Sequence, residues 1–588
     1  MSHDSILEPA ERWLAHDPDT TTQAELRRLL DAARAGDDGA RTELRERFVG
    51  PLEFGTAGLR GVLGAGESRM NRSVVLRTTA GLAHYLLQTI GDEARERGVA
   101  VGYDGRRMSR EFAEDTACAL AAAGIKSYIS PIPCPTPIAA FAVSYLRAAA
   151  GVMITASHNP PEYNGYKAYW ENAAQIIPPH DTGIAAAIYN MPPADQVPRM
   201  TVLEAREKGL VRDFPESLER DYLDAVRALS VRKDGDRSIS IVYTPLHGVG
   251  NRLVRKALEE ANFKNVTSVP EQAEPDGAFP TVVFPNPEEK GAMDLSFALA
   301  RKQNADLVLA NDPDVDRLSV AVRLPDGGYL QLTGNQVGVL LGHYLLTEGK
   351  TEGDRLVLAS LVSSPMLGAI AGALGVRYEE TLTGFKWIAN RAMELERTEN
   401  LKFVFGFEEA LGYTVGPLVR DKDGISAAVL LAELVAVRKV EGKTLLDELE
   451  SLSRRYGLFV SGQRSFTMPG SEGMSAIAAS MEQLRKSPPT AIGGAQVVSR
   501  SDLQARTRWR RDGGTEALAL PPSNVLVYDL EGGSRIIARP SGTEPKIKFY
   551  FDIREEMREG EPIADAEARA RSKMDALAVA FCALAGMG

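Results

Sequence analysis

Cysteine is scarce in this chain. The 588 residues include three cysteines, Cys118, Cys134 and Cys582, which lie far apart and lack the close spacing of a zinc site. Secreted proteins that depend on disulfides carry many more, so the composition indicates a reducing compartment, and we expect a cytoplasmic location. Neither a disulfide scaffold nor a cysteine-ligated metal centre is expected.

Long apolar runs are also missing. No segment approaches the roughly 20 apolar residues that span a bilayer. Residues 1–20 carry charges throughout, whereas a signal peptide has an apolar core. We therefore expect no membrane partner and no targeting segment.

The chain also lacks an excess of basic residues, since its formal net charge is −11. Proteins bind the phosphate backbone of nucleic acids with a basic surface, so nucleic acid is not expected as a partner. A small anionic substrate is compatible with this charge. A few Arg, Lys and backbone N–H groups that converge in one cleft can bind a phosphate on an acidic protein.

The chain is long enough for about three to five domains. Short apolar runs alternate with helical stretches at residues 98–131, 238–263 and 354–376, which is typical of βαβ units and largely parallel sheets. Strands with turns dominate later, and residues 566–586 predict a final amphipathic helix. The sequence predicts three related α/β domains and a smaller C-terminal α+β domain. Their predicted ranges are 1–210, with a helical extension over the first 50 residues, then 211–326, 327–456 and 457–588.

A serine follows a β-branched run in GVMITASHNPPEYNGYK, residues 151–167. The run from Val152 to Thr155 predicts a buried strand, which the His-Asn-Pro-Pro sequence must end. Ser157 would then lie at the end of a strand, where catalytic groups collect in open α/β sheets. A serine that caps a turn is the structural alternative. A Ser-His hydrolase is disfavoured, because neighbouring residues of an extended segment point to opposite faces.

Three aspartates alternate in LVLANDPDVDRLSV, residues 307–320. In an extended segment Asp312, Asp314 and Asp316 would point to one side, and they would repel one another unless a cation compensates. Mg²⁺ fits best, because a few protein ligands leave room for a phosphate oxygen. An EF-hand is excluded, since Arg317 and Arg323 occupy the positions of its required Gly and Glu. A solvated acidic turn is the structural alternative.

Three further segments are individually weak. In EFGTAGLRGVLGAG, residues 53–66, two Gly-rich turns surround Arg60 but match no nucleotide-binding pattern. In LTGFKWIANR and FGFEEALGYTVG, Lys386 could contact a phosphate or hydroxyl, and Glu408 or Glu409 could accept sugar hydroxyl groups. In IIARPSGTEPKIKFY, residues 536–550, a turn of small residues after Arg539 could surround a phosphate, although a plain hairpin explains it equally well.

Together, in this order, TASHNP, DPDVDR, GFEEALG and RPSGTEP resemble the phosphoserine, metal, sugar and phosphate-binding loops of the α-D-phosphohexomutase superfamily. The resemblance covers about residues 50 to 550. It implies four domains around a deep central cleft, and a mutase that acts on small sugar phosphates. The implied reaction interconverts glucose 1-phosphate and glucose 6-phosphate through a phosphoserine and glucose 1,6-bisphosphate. The alternatives are mannose or ribose phosphates as substrates, sugar-bisphosphate synthesis, a phosphatase, and a non-catalytic sugar-phosphate sensor.

The resemblance also implies roles for individual residues. Ser157 would be phosphorylated and would ligate Mg²⁺ with Asp312, Asp314 and Asp316, and glucose 1,6-bisphosphate would be the activator. The other catalytic residues implied are His158, Arg60 and Lys167, with Arg317 beside the metal. The substrate-binding residues implied are Thr383, Gly384, Lys386, Glu408, Arg539, Ser541, Gly542 and Thr543.

Three points stay open at this stage. His247 in TPLHGVG matches a family segment, but no role is assigned to it. Lys167 could act as an acid or base only if burial or nearby cations depress its pKa. The family's sugar loop commonly reads Gly-Glu-x-Ser, whereas Ala410 stands at the serine position, so the preferred sugar is not fixed. No oligomeric state is predicted.

Overall fold

The computed structural model describes residues 7–53, 58–468, 470–541 and 545–587, and of residues 470–472 only the backbone. Within these ranges no helix is both long enough and apolar enough to cross a membrane.

Three helices precede the first sheet: α1 (Leu7–Ala15), α2 (Thr20–Arg34) and α3 (Asp38–Arg47). The carboxylates of Asp19 and Asp37 cap the first turns of α2 and α3. Buried leucines hold the three helices together as a small core of their own. Asp17 is buried and accepts a hydrogen bond of 2.7 Å from Ser73 Oγ, which joins this layer to the first α/β domain. The predicted helical extension is therefore present.

The first α/β domain has a six-stranded sheet in the order β1-β5-β4-β2-β3-β6. Its strands are β1 (Leu59–Val62), β2 (Val99–Tyr103), β3 (Ser127–Ile129), β4 (Ala150–Ile154), β5 (Tyr163–Trp170) and β6 (Val211–Asp213). Its helices are α4 (Arg72–Thr89), α5 (Glu93–Arg97), α6 (Ser109–Ala122), α7 (Thr136–Tyr145), α8 (His180–Tyr189) and α9 (Val202–Glu207). Helix α10 (Ser217–Ala228) leads to the second domain.

The second and third α/β domains are smaller. The second contains β7 (Ile241–Thr244), α11 (Gly250–Glu260), β8 (Val266–Ser268), α12 (Asp294–Gln303), β9 (Leu307–Ala310), β10 (Ser319–Arg323) and β11 (Tyr329–Gln331). The third contains α13 (Gly334–Thr347), β12 (Arg355–Ser360), α14 (Met366–Ala373), β13 (Arg377–Thr381), α15 (Phe385–Glu399), β14 (Lys402–Glu408), β15 (Gly412–Val415), α16 (Gly424–Val440) and α17 (Leu445–Tyr456).

The three sheets share one topology. Their common strand orders are β5-β4-β2-β3, β10-β9-β7-β8 and β15-β14-β12-β13. In each, three neighbouring strands are parallel, and the strand that follows the third of them along the chain returns antiparallel beside it. The three loops that follow Ile154, Ala310 and Glu408 all lie between these last two strands. The predicted relationship between the three domains is therefore confirmed, and their loops occupy equivalent positions at the carboxyl ends of strands.

The fourth domain is an antiparallel sheet with two helices. Its elements are β16 (Leu458–Thr467), α18 (Gly470–Lys486), β17 (Ala491–Ile492), β18 (Ala495–Asp502), β19 (Thr507–Arg510), β20 (Thr515–Ala517), β21 (Leu526–Leu530), β22 (Arg535–Pro540), β23 (Lys546–Glu555) and α19 (Ile563–Leu584). The strand order is β16-β23-β22-β21-β18-β19-β20, and β17 pairs with β18. This domain confirms the predicted fold class, three α/β domains followed by a smaller α+β domain.

Two sheets extend beyond the predicted domain boundaries. Strand β6 pairs with β3, so the first sheet reaches Asp213 and passes the predicted end at residue 210. Strand β11 pairs with β10, so the second sheet reaches Gln331 and passes residue 326. Both strands are three residues long and lie at sheet edges, where a sequence has no alternating pattern long enough to reveal them.

Candidate active site

Ser157 meets the metal loop directly. It follows β4 by three residues, and its Oγ donates a hydrogen bond of 2.7 Å to Asp312 Oδ2 of the second domain. Its backbone has φ 52°, and its N–H donates to Thr155 Oγ1 at 2.8 Å. The side chain is buried. The buried strand and its end before Ser157 are therefore as the sequence predicted.

His158 lies beside the serine hydroxyl, with 3.3 Å between Ser157 Oγ and His158 Nδ1. The expectation that these neighbours point to opposite faces was wrong, because the left-handed backbone at Ser157 ends the strand geometry on which it depended. Burial, with the positive charges of Arg317 and Arg60, holds the pKa of His158 well below its usual value of 6.5. The imidazole is therefore neutral at pH 7, and these surroundings disfavour its protonation.

The three aspartates converge, but through a turn. Asp312, Asp314 and Asp316 are buried, and one carboxylate oxygen from each lies within 4.8 Å of the others. The predicted extended segment is absent: Val315 has φ 64°, and its N–H donates to the carbonyl of Asp312 at 2.9 Å. The side chains meet because the loop folds back, which the spacing alone did not reveal.

Two buried lysines face these carboxylates. Lys167 Nζ lies 2.8 Å from Asp314 Oδ2 and 2.9 Å from Asp316 Oδ2, and Lys422 Nζ lies 3.1 Å from Asp316 Oδ2. Burial lowers the pKa of Lys167, but the two aspartates outweigh it and raise the pKa above its ordinary value. The depressed pKa required for Lys167 to act as a base is therefore absent, and the lysine is an ammonium group. Sequence reasoning missed Lys422, which stands in the polar turn before α16 and carries no motif.

The aspartate cluster has the chemistry of a cation site. Among the described residues, Asp314 Oδ1 and Asp316 Oδ1 are buried and have no hydrogen-bond partner. Burial and the charges of Asp314 and Asp316 raise the pKa of Asp312 well above its usual value. Unpaired buried carboxylate oxygens are costly, and a hard cation with oxygen ligands would remove that cost. The three residues fit a divalent metal ion.

Arginines surround the serine loop. Arg60 Nη1 donates to Asn159 Oδ1 at 2.7 Å, and burial together with Arg317 lowers the pKa of Arg60 to about 10, so it stays cationic at pH 7. Arg317 Nε lies 3.8 Å from Asp312 Oδ2. Arg106, which sequence reasoning also missed, is buried and donates to the carbonyl of Ser157 at 2.6 Å. An anionic group on Ser157 would thus meet a positive environment.

The sugar loop and its neighbour form a second wall. Glu408 ends β14 and accepts a hydrogen bond of 2.7 Å from the backbone N–H of Gly384. Burial raises the pKa of Glu408 and lowers that of Lys386, which lies in the first turn of α15 after Thr383 and Gly384. Glu409 turns the other way, toward Ser360 and Ser363.

The phosphate-binding segment lies only partly in the described structure. Arg539 belongs to β22, and the Ser541 N–H donates to the carbonyl of Lys546 at 2.7 Å across the turn. Gly542 and Thr543 lie outside the described residues. The charges of Glu409 and Arg539 both act on the neighbouring Tyr550, so these strands approach the sugar loop.

His247 contacts a different set of residues. Its ring Nε2 lies 2.8 Å from Thr281 Oγ1, and its backbone N–H donates to the carbonyl of Gln272 at 3.0 Å. These contacts hold a loop of the second domain.

The sequence matches the four domains of one enzyme family in order. They are described as phosphoglucomutase/phosphomannomutase alpha/beta/alpha domain I at residues 51–193, domain II at 220–327, domain III at 333–456, and the C-terminal domain at 477–570. Helices α1–α3 lie outside these matches.

Curated proteins that are similar to this chain are named as mutases of three different sugar phosphates. The chain is 44% identical to a probable phosphomannomutase of Haemophilus influenzae, over 82% of this chain and 93% of that protein. It is 37% identical to human phosphopentomutase, over 92% and 90%. It is also 37% identical to a phosphoglucomutase of Staphylococcus epidermidis, over 87% and 92%.

Solved structures share the fold at lower identity. The open form of Paramecium pp63/parafusin, a phosphoglucomutase, has a TM-score of 0.66 at 18% identity, covering 91% of this chain and 95% of that one. A phosphoglucomutase/phosphomannomutase family protein of Burkholderia thailandensis has a TM-score of 0.61 at 18% identity, covering 88% and 97%. With four matched domains and relatives above 30% identity along most of its length, the chain belongs to the phosphoglucomutase/phosphomannomutase family of α-D-phosphohexomutases and is a phosphotransferase of the isomerase class.

Proposed function

We propose that this enzyme is a phosphoglucomutase that carries a phosphoryl group on Ser157 and interconverts glucose 1-phosphate and glucose 6-phosphate. The observation that carries the proposal is the 2.7 Å contact between Ser157 Oγ and Asp312 Oδ2, inside a buried cluster of three carboxylates. A sensor that only binds sugar phosphates would need neither a buried hydroxyl nucleophile nor a buried metal site beside it.

The transfer step requires in-line positioning and charge neutralisation. The hydroxyl oxygen of the sugar monophosphate forms a bond to phosphorus as the bond from phosphorus to Ser157 Oγ breaks. His158 Nδ1 lies 3.3 Å from Ser157 Oγ, so this imidazole would pass the hydroxyl proton to that oxygen. Because its pKa is lowered, it would hold the proton only transiently. Ser157, Asp312, Asp314 and Asp316 would hold Mg²⁺, which when bound supplies positive charge to the transferring phosphoryl oxygens.

The net reaction requires a second phosphate site. The first transfer yields an enzyme-bound bisphosphate, which must turn so that its other phosphate faces the dephosphorylated Ser157. Arg539 and Ser541, with Gly542 and Thr543 from the resemblance, would hold whichever phosphate is not reacting. We propose glucose 1,6-bisphosphate as the activator that reloads Ser157, and the cytoplasm as the compartment.

A pentose mutase is the second candidate. Ala410 offers no hydroxyl where the family's sugar loop commonly has serine, so one hydrogen bond to a hexose is absent. The named phosphopentomutases that are 37% identical to this chain favour the same alternative.

A coupled assay of glucose 1-phosphate to glucose 6-phosphate, with Mg²⁺ and a trace of glucose 1,6-bisphosphate, tests the proposal. Wild-type enzyme should turn over and Ser157→Ala should not. The matched control is Ser144→Ala, which removes an exposed hydroxyl that donates to the Phe141 carbonyl at 2.9 Å. If glucose 1-phosphate is not converted, mannose 1-phosphate and ribose 1-phosphate in the same assay identify another mutase. Inactivity on all three refutes a mutase function for this site.

A further inference from the structure

Arg535 crosses from the fourth domain to the third. It lies in β22, four residues before Arg539, and its side chain is buried. Its Nη1 donates to Glu380 Oε1 at 2.6 Å, and its Nη2 donates to the carbonyl of Ser363 at 3.0 Å. Asp552 of the adjacent strand lies 3.3 Å from the same Nη2. One guanidinium thus joins β22, the phosphate-binding strand that carries Arg539, to the third domain at Glu380 and at Ser363.

Ser363 continues this connection to the sugar loop. Its Oγ accepts a hydrogen bond of 3.0 Å from the backbone N–H of Glu409, the residue after Glu408. It also lies 2.8 Å from Ser360 Oγ, at the end of β12. A single residue therefore separates the guanidinium of Arg535 from the backbone of the sugar loop.

The centre of the connection is buried. Ser360 and Ser363 are fully buried, and Arg535 retains 6% of its exposure. A buried guanidinium is costly unless carboxylate and carbonyl groups accept its hydrogen bonds. Arg535 has these partners only while the third and fourth domains are docked. Displacing the fourth domain from the third would break these bonds together.

We propose that Arg535 is a positioning residue, which through Ser363 fixes the sugar loop in register with the phosphate-binding strand. The proposal rests on the proposed function, in which a sugar phosphate spans Glu408 and Arg539. A substrate held at both ends reacts fast only if the two ends are aligned, because a misplacement of about 1 Å can cost about 100-fold in rate. Arg535 contacts neither substrate end itself, and it acts through the backbone at Glu409.

Four variants and two readouts test this assignment. Arg535→Met should lower kcat/KM about 10- to 100-fold. Arg535→Lys keeps the charge but has a single nitrogen, which cannot contact Glu380 and Ser363 as the guanidinium fork does, so it should retain only part of the wild-type kcat/KM. Ser363→Ala keeps the carbonyl bound by Arg535 and removes the Oγ, so it breaks only the second link. The double variant Arg535→Met/Ser363→Ala should lose no more than the worse single variant, because both changes interrupt one path.

Amide hydrogen exchange gives the second readout and does not require turnover. The Glu409 N–H should exchange faster in Arg535→Met and in Ser363→Ala. The control Arg485→Met removes an arginine that pairs with Asp502 and Asn524 inside the fourth domain, and it should leave Glu409 exchange unchanged. If Arg535→Met is insoluble, Arg535→Lys and Ser363→Ala still provide both comparisons. Additive losses in kcat/KM, or unchanged exchange at Glu409, would overturn the proposal. An inactive wild type refutes the mutase function instead.

Discussion

Ser157 Oγ and Asp312 Oδ2 share a hydrogen bond of 2.7 Å across 155 positions of sequence. Ser157 and Asp312 follow strands of different sheets, so their contact exists only when the first two domains are docked. Ser157→Ala should reduce mutase turnover by roughly three orders of magnitude or more, because the phosphoryl carrier is gone. Wild-type protein incubated with glucose 1,6-bisphosphate should gain the mass of one phosphoryl group, and the variant should not. A phosphorylated Ser157→Ala variant would place the carrier elsewhere.

Removal of one aspartate should abolish metal binding with little change of shape. Asp314→Asn keeps the acceptor for Thr136 Oγ1, which donates to Asp314 Oδ2 at 2.8 Å, but removes one negative charge. We expect its affinity for Mg²⁺, measured by titration calorimetry, to fall by about 100-fold or more. Asp306→Asn is the control, since Asp306 pairs with Lys439 at the surface. Equal affinities in wild type and Asp314→Asn would exclude the cluster as the metal site.

A serine at position 410 should favour hexoses. Ala410→Ser restores a hydroxyl beside Glu408, and one hydrogen bond to a sugar hydroxyl is worth up to about tenfold in kcat/KM. The ratio of kcat/KM for glucose 1-phosphate to that for ribose 1-phosphate should rise by about that factor. Ala186→Ser, on an exposed face of α8, should leave the ratio unchanged. A ratio that stays constant in both variants would separate position 410 from sugar choice.

Glu409 should make stability depend on pH. Burial, followed by the charge of Glu408, raises the pKa of Glu409 from 4.5 to about 7. The native state therefore holds this proton more tightly than the unfolded chain, so the contribution of Glu409 to the free energy of unfolding falls as pH rises from about 4.5 to about 7. Glu409→Gln, which does not titrate, should gain stability relative to wild type across that window in denaturant unfolding. Glu482→Gln, the same change at an exposed position, is the matched control, and a flat difference for Glu409→Gln would contradict the raised pKa.

The loop that carries the three aspartates packs closely against Gly424, the first residue of α16. A Cβ at Gly424 would lie 2.5 Å from Asn311 Nδ2 and 2.6 Å from the carbonyls of Val315 and Arg317. Gly424→Ala should therefore displace the loop, cost about 1–3 kcal/mol in the free energy of unfolding and lower turnover. Gly372→Ala, in α14 with nothing within 4 Å of the added Cβ, should leave turnover unchanged and unfolding little altered. A fully active Gly424→Ala enzyme would show that the loop adapts to the extra atom.

The fold class followed from the sequence because its signals are local. Alternating apolar runs and helical spacing predicted the three α/β units, and the change of pattern after β16 predicted the fourth domain. The short edge strands β6 and β11 escaped detection because three residues cannot display a period. The first two sheets therefore continue a few residues beyond 210 and 326, to Asp213 and Gln331.

The site was predictable where chemistry lies in one segment. Ser157 and the three aspartates could be named from their motifs, whereas Lys422 and Arg106 could not, because each acquires its role from partners more than 50 positions away. The charge state of Lys167 could not be predicted for the same reason, since it is set by Asp314 and Asp316 of the neighbouring domain. Left-handed backbone at Ser157 reversed the argument that placed His158 on the opposite face. At Val315 it brings the aspartates together through a turn, where an extended segment had been assumed.

The backbone at Ser157 also selects the amino acid that can serve there. At φ 52° a β-branched side chain is strongly disfavoured, so threonine, which has the same hydroxyl, does not fit this turn. Cysteine would fit the backbone, but a thiol is a weak hydrogen-bond donor to the Asp312 carboxylate. The backbone conformation thus excludes threonine, and the hydrogen bond to Asp312 favours serine over cysteine, before any contact with substrate is made.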